Sequence, residues 1–258
     1  MSNPVTTVNL KVRALDFRVS ARLRDTGDEL VLFVHGLGSS KENWQNAWQR
    51  PELRDRALLA PDLPGFGHSD LPAGFSPDLA SYAQVLHALI DAYALRRIHL
   101  VAHSMGGSIS LLLPERVLSR LASLVLIEPR LFLSSCGIAS VAAGVTHDEY
   151  VRTVFPAIRR QMSSDPRAAF DLQRADIDAM YASSLSLIDW SSRRSLLERF
   201  ELAECPKYFV CGADNQHLQE LSFIEPEQVR VIDEAAHFVM VDNPDEFYRC
   251  LGQLLIDR

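Results

Sequence analysis

The run Ala102-His103-Ser104-Met105-Gly106-Gly107 carries the strongest chemical signal in the chain. It joins an apolar, strand-like segment (Ile98–Ala102) to a helix-like one (Ser108–Leu113). A nucleophile carried on a strand-to-helix turn needs very small residues two positions to either side, because the turn is strained and closely packed. Ala102 and Gly106 meet that requirement around Ser104. Such a turn lifts the Ser104 hydroxyl above the sheet edge. It also aims the Met105 amide, at a helix N-terminus, at the place where an oxyanion would form. The chemistry implied is nucleophilic attack on a carbonyl, which needs a base. His237, in the loop after the last expected strand, is the best candidate, since a neutral imidazole can take the serine proton near pH 7. Seven other histidines compete. His35 and His68 read as hydrogen-bonding loop residues, and His103 is expected to point away from the turn. His87, His99, His147 and His217 belong to no motif. No HxH or HExxH spacing suggests a metal.

These residues need a scaffold, and the chain supplies one. Two short extended segments (Thr7–Leu15, Arg18–Leu23) precede the apolar runs Leu30–Val34, Arg56–Ala60, Ile98–Ala102, Leu121–Ile127, Tyr208–Cys211 and Val229–Ile232. Helical spacing covers Asp78–Tyr93 and Pro244–Leu255. Strands alternating with helices predict an α/β fold with one mostly parallel sheet flanked by helices. About 77 residues separate Glu128 from Cys205, far more than a simple crossover requires. Helix-like segments fill the gap: Asp148–Met162 (interrupted by Pro156), Arg167–Arg174, Asp176–Ser184 and Ser191–Ala203. They predict a single domain over 1–258 with a helical cap inserted at about 130–190. Pro114 should shorten or bend the helix that follows Ser104.

Composition bounds the function. The 258 residues are 47% apolar and 23% charged, which is globular. The net charge of −7 and the lack of a basic stripe argue against nucleic acid as a partner. No apolar stretch approaches the roughly 18 residues of a membrane helix, and Met1–Leu15 has no secretory apolar core. The four cysteines form no CxxC pair or disulfide framework. A cytoplasmic protein with reduced thiols, no cofactor and no metal is expected. The oligomeric state is not legible.

The chain resembles the α/β-hydrolase superfamily along nearly its whole length. The matching segments are His35-Gly36-Leu37-Gly38, Asp62-Leu63-Pro64-Gly65-Phe66-Gly67-His68-Ser69, His103-Ser104-Met105-Gly106-Gly107, and Ala236-His237-Phe238 ahead of Asp242-Asn243-Pro244. The resemblance implies an eight-stranded, mostly parallel sheet with Ser104 at a nucleophile elbow, His237 as base and the Leu37 amide as second oxyanion donor. It also exposes a departure. The acid usually follows the strand Tyr208–Cys211 as G-x-x-D, and that position here is Asn215, with Asp214 one residue early. Glu128, at the end of the strand after the elbow helix, is the favoured alternative, because some members, including certain haloalkane dehalogenases, take their acid there. Asp214 stays open.

An acid from either strand could hold the imidazole tautomer and stabilise the imidazolium. The implied activity is hydrolysis of a small-molecule carboxylic ester or thioester through an acyl-enzyme on Ser104. Epoxide-hydrolase and dehalogenase chemistry is disfavoured, because it uses an aspartate nucleophile. Carbon–carbon bond hydrolysis of a dienoic diketone, perhydrolase or amidase chemistry, and slow-turnover ligand sensing remain alternatives. Trp44, Trp48, Phe66, Met105, Leu131, Phe132 and Phe155 are candidate pocket-lining residues.

Overall fold

The apolar runs become strands because residues on both of their faces must be covered. Leu30 to Val34 are all fully buried, as expected for the middle of a two-sided sheet. The computed structural model describes residues 5–256 and contains eight strands: β1 (Val5–Val12), β2 (Leu15–Arg24), β3 (Glu29–Val34), β4 (Ala57–Pro61), β5 (Arg97–His103), β6 (Ser123–Ile127), β7 (Lys207–Gly212) and β8 (Val229–Ile232). They form one sheet in the order β1-β2-β4-β3-β5-β6-β7-β8. β2 pairs antiparallel with both β1 and β4, and every pairing from β4 through β8 is parallel.

Helices cover both faces. α1 (Leu79–Ala92) starts where the Asp78 carboxylate accepts the Ser81 amide, and lays Leu79, Tyr82, Leu86 and Leu89 on one side of the sheet. α2 (Met105–Ser110) follows β5 and stops early. Pro114 instead precedes α3 (Glu115–Leu118), the position where its missing N–H costs nothing. On the opposite face, Trp44 and Trp48 pack against Phe33 and share a core with Phe247 and Leu251 of the last helix. Those two tryptophans, expected as pocket candidates, are therefore core residues behind the sheet.

The interval after β6 is helical, as the spacing suggested. It holds α4 (His147–Glu149), α5 (Phe155–Gln161), α6 (Pro166–Arg174), α7 (Ile177–Ser191) and the crossover helix α8 (Ser195–Leu202). The helical segment Asp148–Met162, expected to be interrupted by Pro156, is divided upstream of that proline. A π-helical stretch (Tyr150–Val154) precedes α5, and Pro156 occupies the first turn of that helix, where an amide donor is not required. α6 and α7 are each capped by an aspartate, Asp165 and Asp176. α9 (Val239–Asp242) and α10 (Pro244–Leu254) close the chain. Among the described residues all four cysteines are free, and no helix is long and apolar enough to cross a membrane.

Candidate active site

Ser104 lies between β5 and α2 with φ 53° and ψ −122°, a conformation that costs a side-chain-bearing residue of order 1–3 kcal/mol. The sequence around it is small because the packing leaves no room. A Cβ on Gly106 would fall 2.5 Å from the His35 carbonyl oxygen, and one on Gly107 would fall 2.8 Å from Pro129 Cβ. The Ser104 amide donates to the Ile127 carbonyl (2.8 Å), which ties the elbow to the end of β6.

The loop after β3 closes on the elbow from the other side. A Cβ at Gly36 would lie 2.9 Å from Ser104 Cβ, so only glycine permits this approach. His35 fixes the loop as a neutral tautomer. Its Nδ1–H donates to the Gly36 carbonyl (2.8 Å) and its Nε2 accepts the Leu63 amide (2.9 Å). Burial holds this imidazole below its ordinary pKa, consistent with neutrality. Leu37 lines the cavity beside Ser104, and Met105 opens α2, where an amide has no intrahelical acceptor.

The two carboxylates considered as the acid occupy different surroundings. Glu128 Oε2 is 2.7 Å from His237 Nδ1. The Asn215 side-chain amide donates to both Glu128 oxygens, at 2.8 and 2.9 Å, and the Gly212 amide donates to Oε1 at 3.1 Å. Glu128 is fully buried and, like Ser104, has positive φ (43°). Asn215, standing where the acid was sought after β7, is thus a donor that holds the carboxylate from the neighbouring strand. Asp214 is exposed and engages through its backbone, its amide donating to Ala235 and its carbonyl accepting from His217. The structure does not bring Asp214 to His237, which corrects its candidacy: the β7 turn points its side chain to solvent.

His103 was expected to point away and does not. Its Nε2–H donates to the His237 carbonyl (2.9 Å), and the two rings lie 4.4 Å apart. Burial first, then repulsion from any charge on His237 and from the Arg130 guanidinium, holds His103 well below the ordinary histidine range, so it anchors the His237 backbone as a neutral group. His237 itself is pushed well below its ordinary value by burial and by the guanidinium charges of Arg130 and Arg167. It is therefore neutral near pH 7, the form that accepts a proton.

These groups face a cavity of about 260 Å³ between the strand ends and the helical insertion. Gly36, Leu37, Ser104 and His237 line it from the sheet side; Ile138, Met162, Leu172 and Leu187 line it from the insertion. None of the expected aromatic lining residues is there, and Met105 and Leu131 are also absent from the wall. Phe66 packs on His35 and Tyr82, and Phe155 on Tyr150. The cavity instead carries charged groups that sequence reasoning missed: Arg130, Asp165, Arg167 and Asp171. The available signal was the string Glu128-Pro129-Arg130, which puts a cation two residues from the acid at the end of a strand.

A family model described as the alpha/beta hydrolase family matches residues 31–249. A 2-hydroxy-6-oxo-2,4-heptadienoate hydrolase of Pseudomonas putida is 36% identical over 128 residues, which are 47% of this chain and 46% of the relative. The chain thus spans about half the length of that relative. Among solved structures, an N-acyl homoserine lactonase complexed with N-butanoyl homoserine superposes with a TM-score of 0.76 at 17% identity, covering 98% of this chain and 96% of the other. A thermophilic esterase from Thermogutta terrifontis gives 0.74 at 20% identity, covering 97% and 98%. At these identities the superpositions establish a shared fold.

Proposed function

The chain belongs to the alpha/beta hydrolase family, and from that premise we propose that it is a serine hydrolase of carboxylic esters or thioesters. The observation that carries the proposal is the buried Glu128 carboxylate 2.7 Å from Nδ1 of His237, which lines one cavity with Ser104. Ser104 Oγ attacks the carbonyl carbon as its proton passes to His237 Nε2. The Met105 and Leu37 amides stabilise the oxyanion. Collapse expels the alcohol or thiol, which takes the proton from His237, and water then hydrolyses the acyl-enzyme by the same steps. Glu128 holds the Nδ1–H tautomer and offsets the charge of the imidazolium. No step calls for a cofactor or a metal.

Fluorophosphonate labelling read by intact mass tests this. The wild type should gain one adduct, and Ser104→Ala none. A wild type that fails to label, yet binds small esters saturably without turnover, would instead support a ligand-sensing role.

A second reading, carbon–carbon bond hydrolysis of a dienoic diketone, is supported by the match to a 2-hydroxy-6-oxo-2,4-heptadienoate hydrolase. Loss of absorbance of a dienoic diketone, at a rate exceeding ester hydrolysis, would favour it.

A further inference from the structure

Arg130 enters the cavity on a rigid base. Its amide donates to Ser108 Oγ (3.1 Å), and its carbonyl accepts from the Ser108 and Ser191 hydroxyls (3.1 and 2.8 Å). Its Nη2 lies 2.7 Å from His237 Nε2 and 3.1 Å from Nδ1. An atom that close to both ring nitrogens stands over the face of the imidazole, not in line with one lone pair. The other charged groups of the cavity are occupied. Arg167 is paired with Asp165 (3.1 Å), bonded to Asn43 Oδ1 (3.0 Å) and seated over the Phe238 ring. Asp171 accepts from Ser40 and Asn43. Among the described residues, no carboxylate comes within 4 Å of the Arg130 guanidinium. Glu128 and Glu220 only favour its charge from farther away.

This arrangement is costly twice over. A largely buried guanidinium without an ion-pair partner has lost hydration that the more distant Glu128 and Glu220 carboxylates repay only in part. A cation on the face of the base also opposes the imidazolium that must form during acyl transfer. An anion in contact with the guanidinium would remove both costs, and among the described residues no side chain supplies one at that distance. Resting on the serine-hydrolase reading, we propose that the substrate brings it: an ester carrying a carboxylate close to the scissile carbonyl, as in a half-ester of a short dicarboxylic acid, with Arg130 as the specificity residue that binds the carboxylate. Binding draws the guanidinium off the imidazole face, so the carboxylate is read in kcat as well as in KM.

The experiment compares monomethyl succinate with its neutral isostere methyl 4-methylpentanoate by pH-stat, in wild type, Arg130→Met and Arg130→Lys. Acetoxyacetate against propyl acetate places the charge on the alcohol side instead. At least one charged ester should exceed its neutral partner about tenfold to a hundredfold in kcat/KM, the range of a charge-assisted hydrogen bond. Which pair responds tells which side of the ester bond carries the charge. The ratio should collapse toward unity in Arg130→Met and recover in part in Arg130→Lys. On the neutral esters, Arg130→Met should also move the acid limb of kcat/KM upward. The groups facing His237 are Glu128, His103, Arg130 and Arg167, and this variant removes one of its two cations.

A wild-type ratio near one for both pairs, or ratios unchanged in Arg130→Met, overturns the proposal. Calorimetric binding of monomethyl succinate to Ser104→Ala, with and without Arg130→Met, reads Arg130 without turnover. An unlabelled wild type that still binds the half-ester through Arg130 would sink the hydrolase reading and leave the carboxylate site standing. Equal affinity in the two variants would remove that site.

Discussion

Glu128 Oε2 stands 2.7 Å from His237 Nδ1, while Asn215 Nδ2 reaches both oxygens of the same carboxylate. An acid on β6 is thereby held by an amide on the turn after β7, the turn on which an acid would otherwise be sought. Exchanging Glu128→Gln removes the negative charge and places an amide against existing donors, Asn215 Nδ2 and the Gly212 N–H. The variant should lose about 10³–10⁴-fold in kcat, the scale seen when a triad histidine loses its orienting carboxylate. Asp214→Asn, changing an exposed side chain, should stay within about twofold of wild type. Steady-state kinetics on a simple ester decides it; the reverse ranking would move the acid to β7.

The pH profile follows from the surroundings of His237. The base works deprotonated, and burial with the charges of Arg130 and Arg167 lowers its pKa. The acid limb of kcat/KM on a neutral ester should therefore fall below pH 6.5, with near-full activity where an ordinary histidine is half protonated. Arg167→Gln removes one of the cations and should shift the limb upward. Asp171, pushed up to about 6 by burial, ionises in the same window. Asp171→Asn separates the two titrations. A wild-type limb at or above pH 6.5 would contradict this account.

Lys41 and Asp62 test the scaffold beneath the site. Both side chains are fully buried, with Nζ 2.6 Å from Oδ2. Asp62 also accepts the Lys41 and His68 amides, at 2.7 and 2.8 Å, which pins the loops after β3 and β4 together. Lys41→Met leaves the carboxylate buried and short of its countercharge, which costs about 3–5 kcal/mol. Denaturant unfolding of Lys41→Met against wild type measures this. A loss under 1 kcal/mol would mean the pair is solvated in solution.

Much of the fold and part of the site were legible because packing leaves a direct imprint on sequence. Runs such as Leu30–Val34 are apolar on both faces because both faces are covered, and Gly106 and Gly107 mark backbone and side-chain approaches that admit no Cβ. The sequence favoured Glu128 over Asp214 but left the choice open. β6 and β7 are neighbouring parallel strands, and one sequence does not say which strand-end side chain turns inward. Asn215 reads as a vacant acid position; that its amide donates to the neighbouring strand's carboxylate needed the structure. Trp44 and Trp48 misled because aromatic content does not reveal which face of the sheet a residue covers. Arg130 was overlooked because a cation beyond a strand end usually reaches water, whereas the helical insertion closes over this one.

The backbone of Ser104 supplies a final prediction, in which stability and activity move in opposite directions. Its φ of 53° with ψ of −122° suits glycine and strains serine. Ser104→Gly relieves that strain, of order 1–3 kcal/mol. Against this stands the greater backbone freedom of glycine in the unfolded chain, about 0.5–1 kcal/mol. The net gain should be about 1 kcal/mol, read as a raised Tm in calorimetry, while fluorophosphonate labelling disappears. Ser104→Ala keeps the Cβ and the strain, so it should lose labelling without the full gain. A Tm for the glycine variant below that of wild type, by the equivalent of about 0.5–1 kcal/mol, would show that the elbow stores no strain, because only the entropic cost of glycine would then remain.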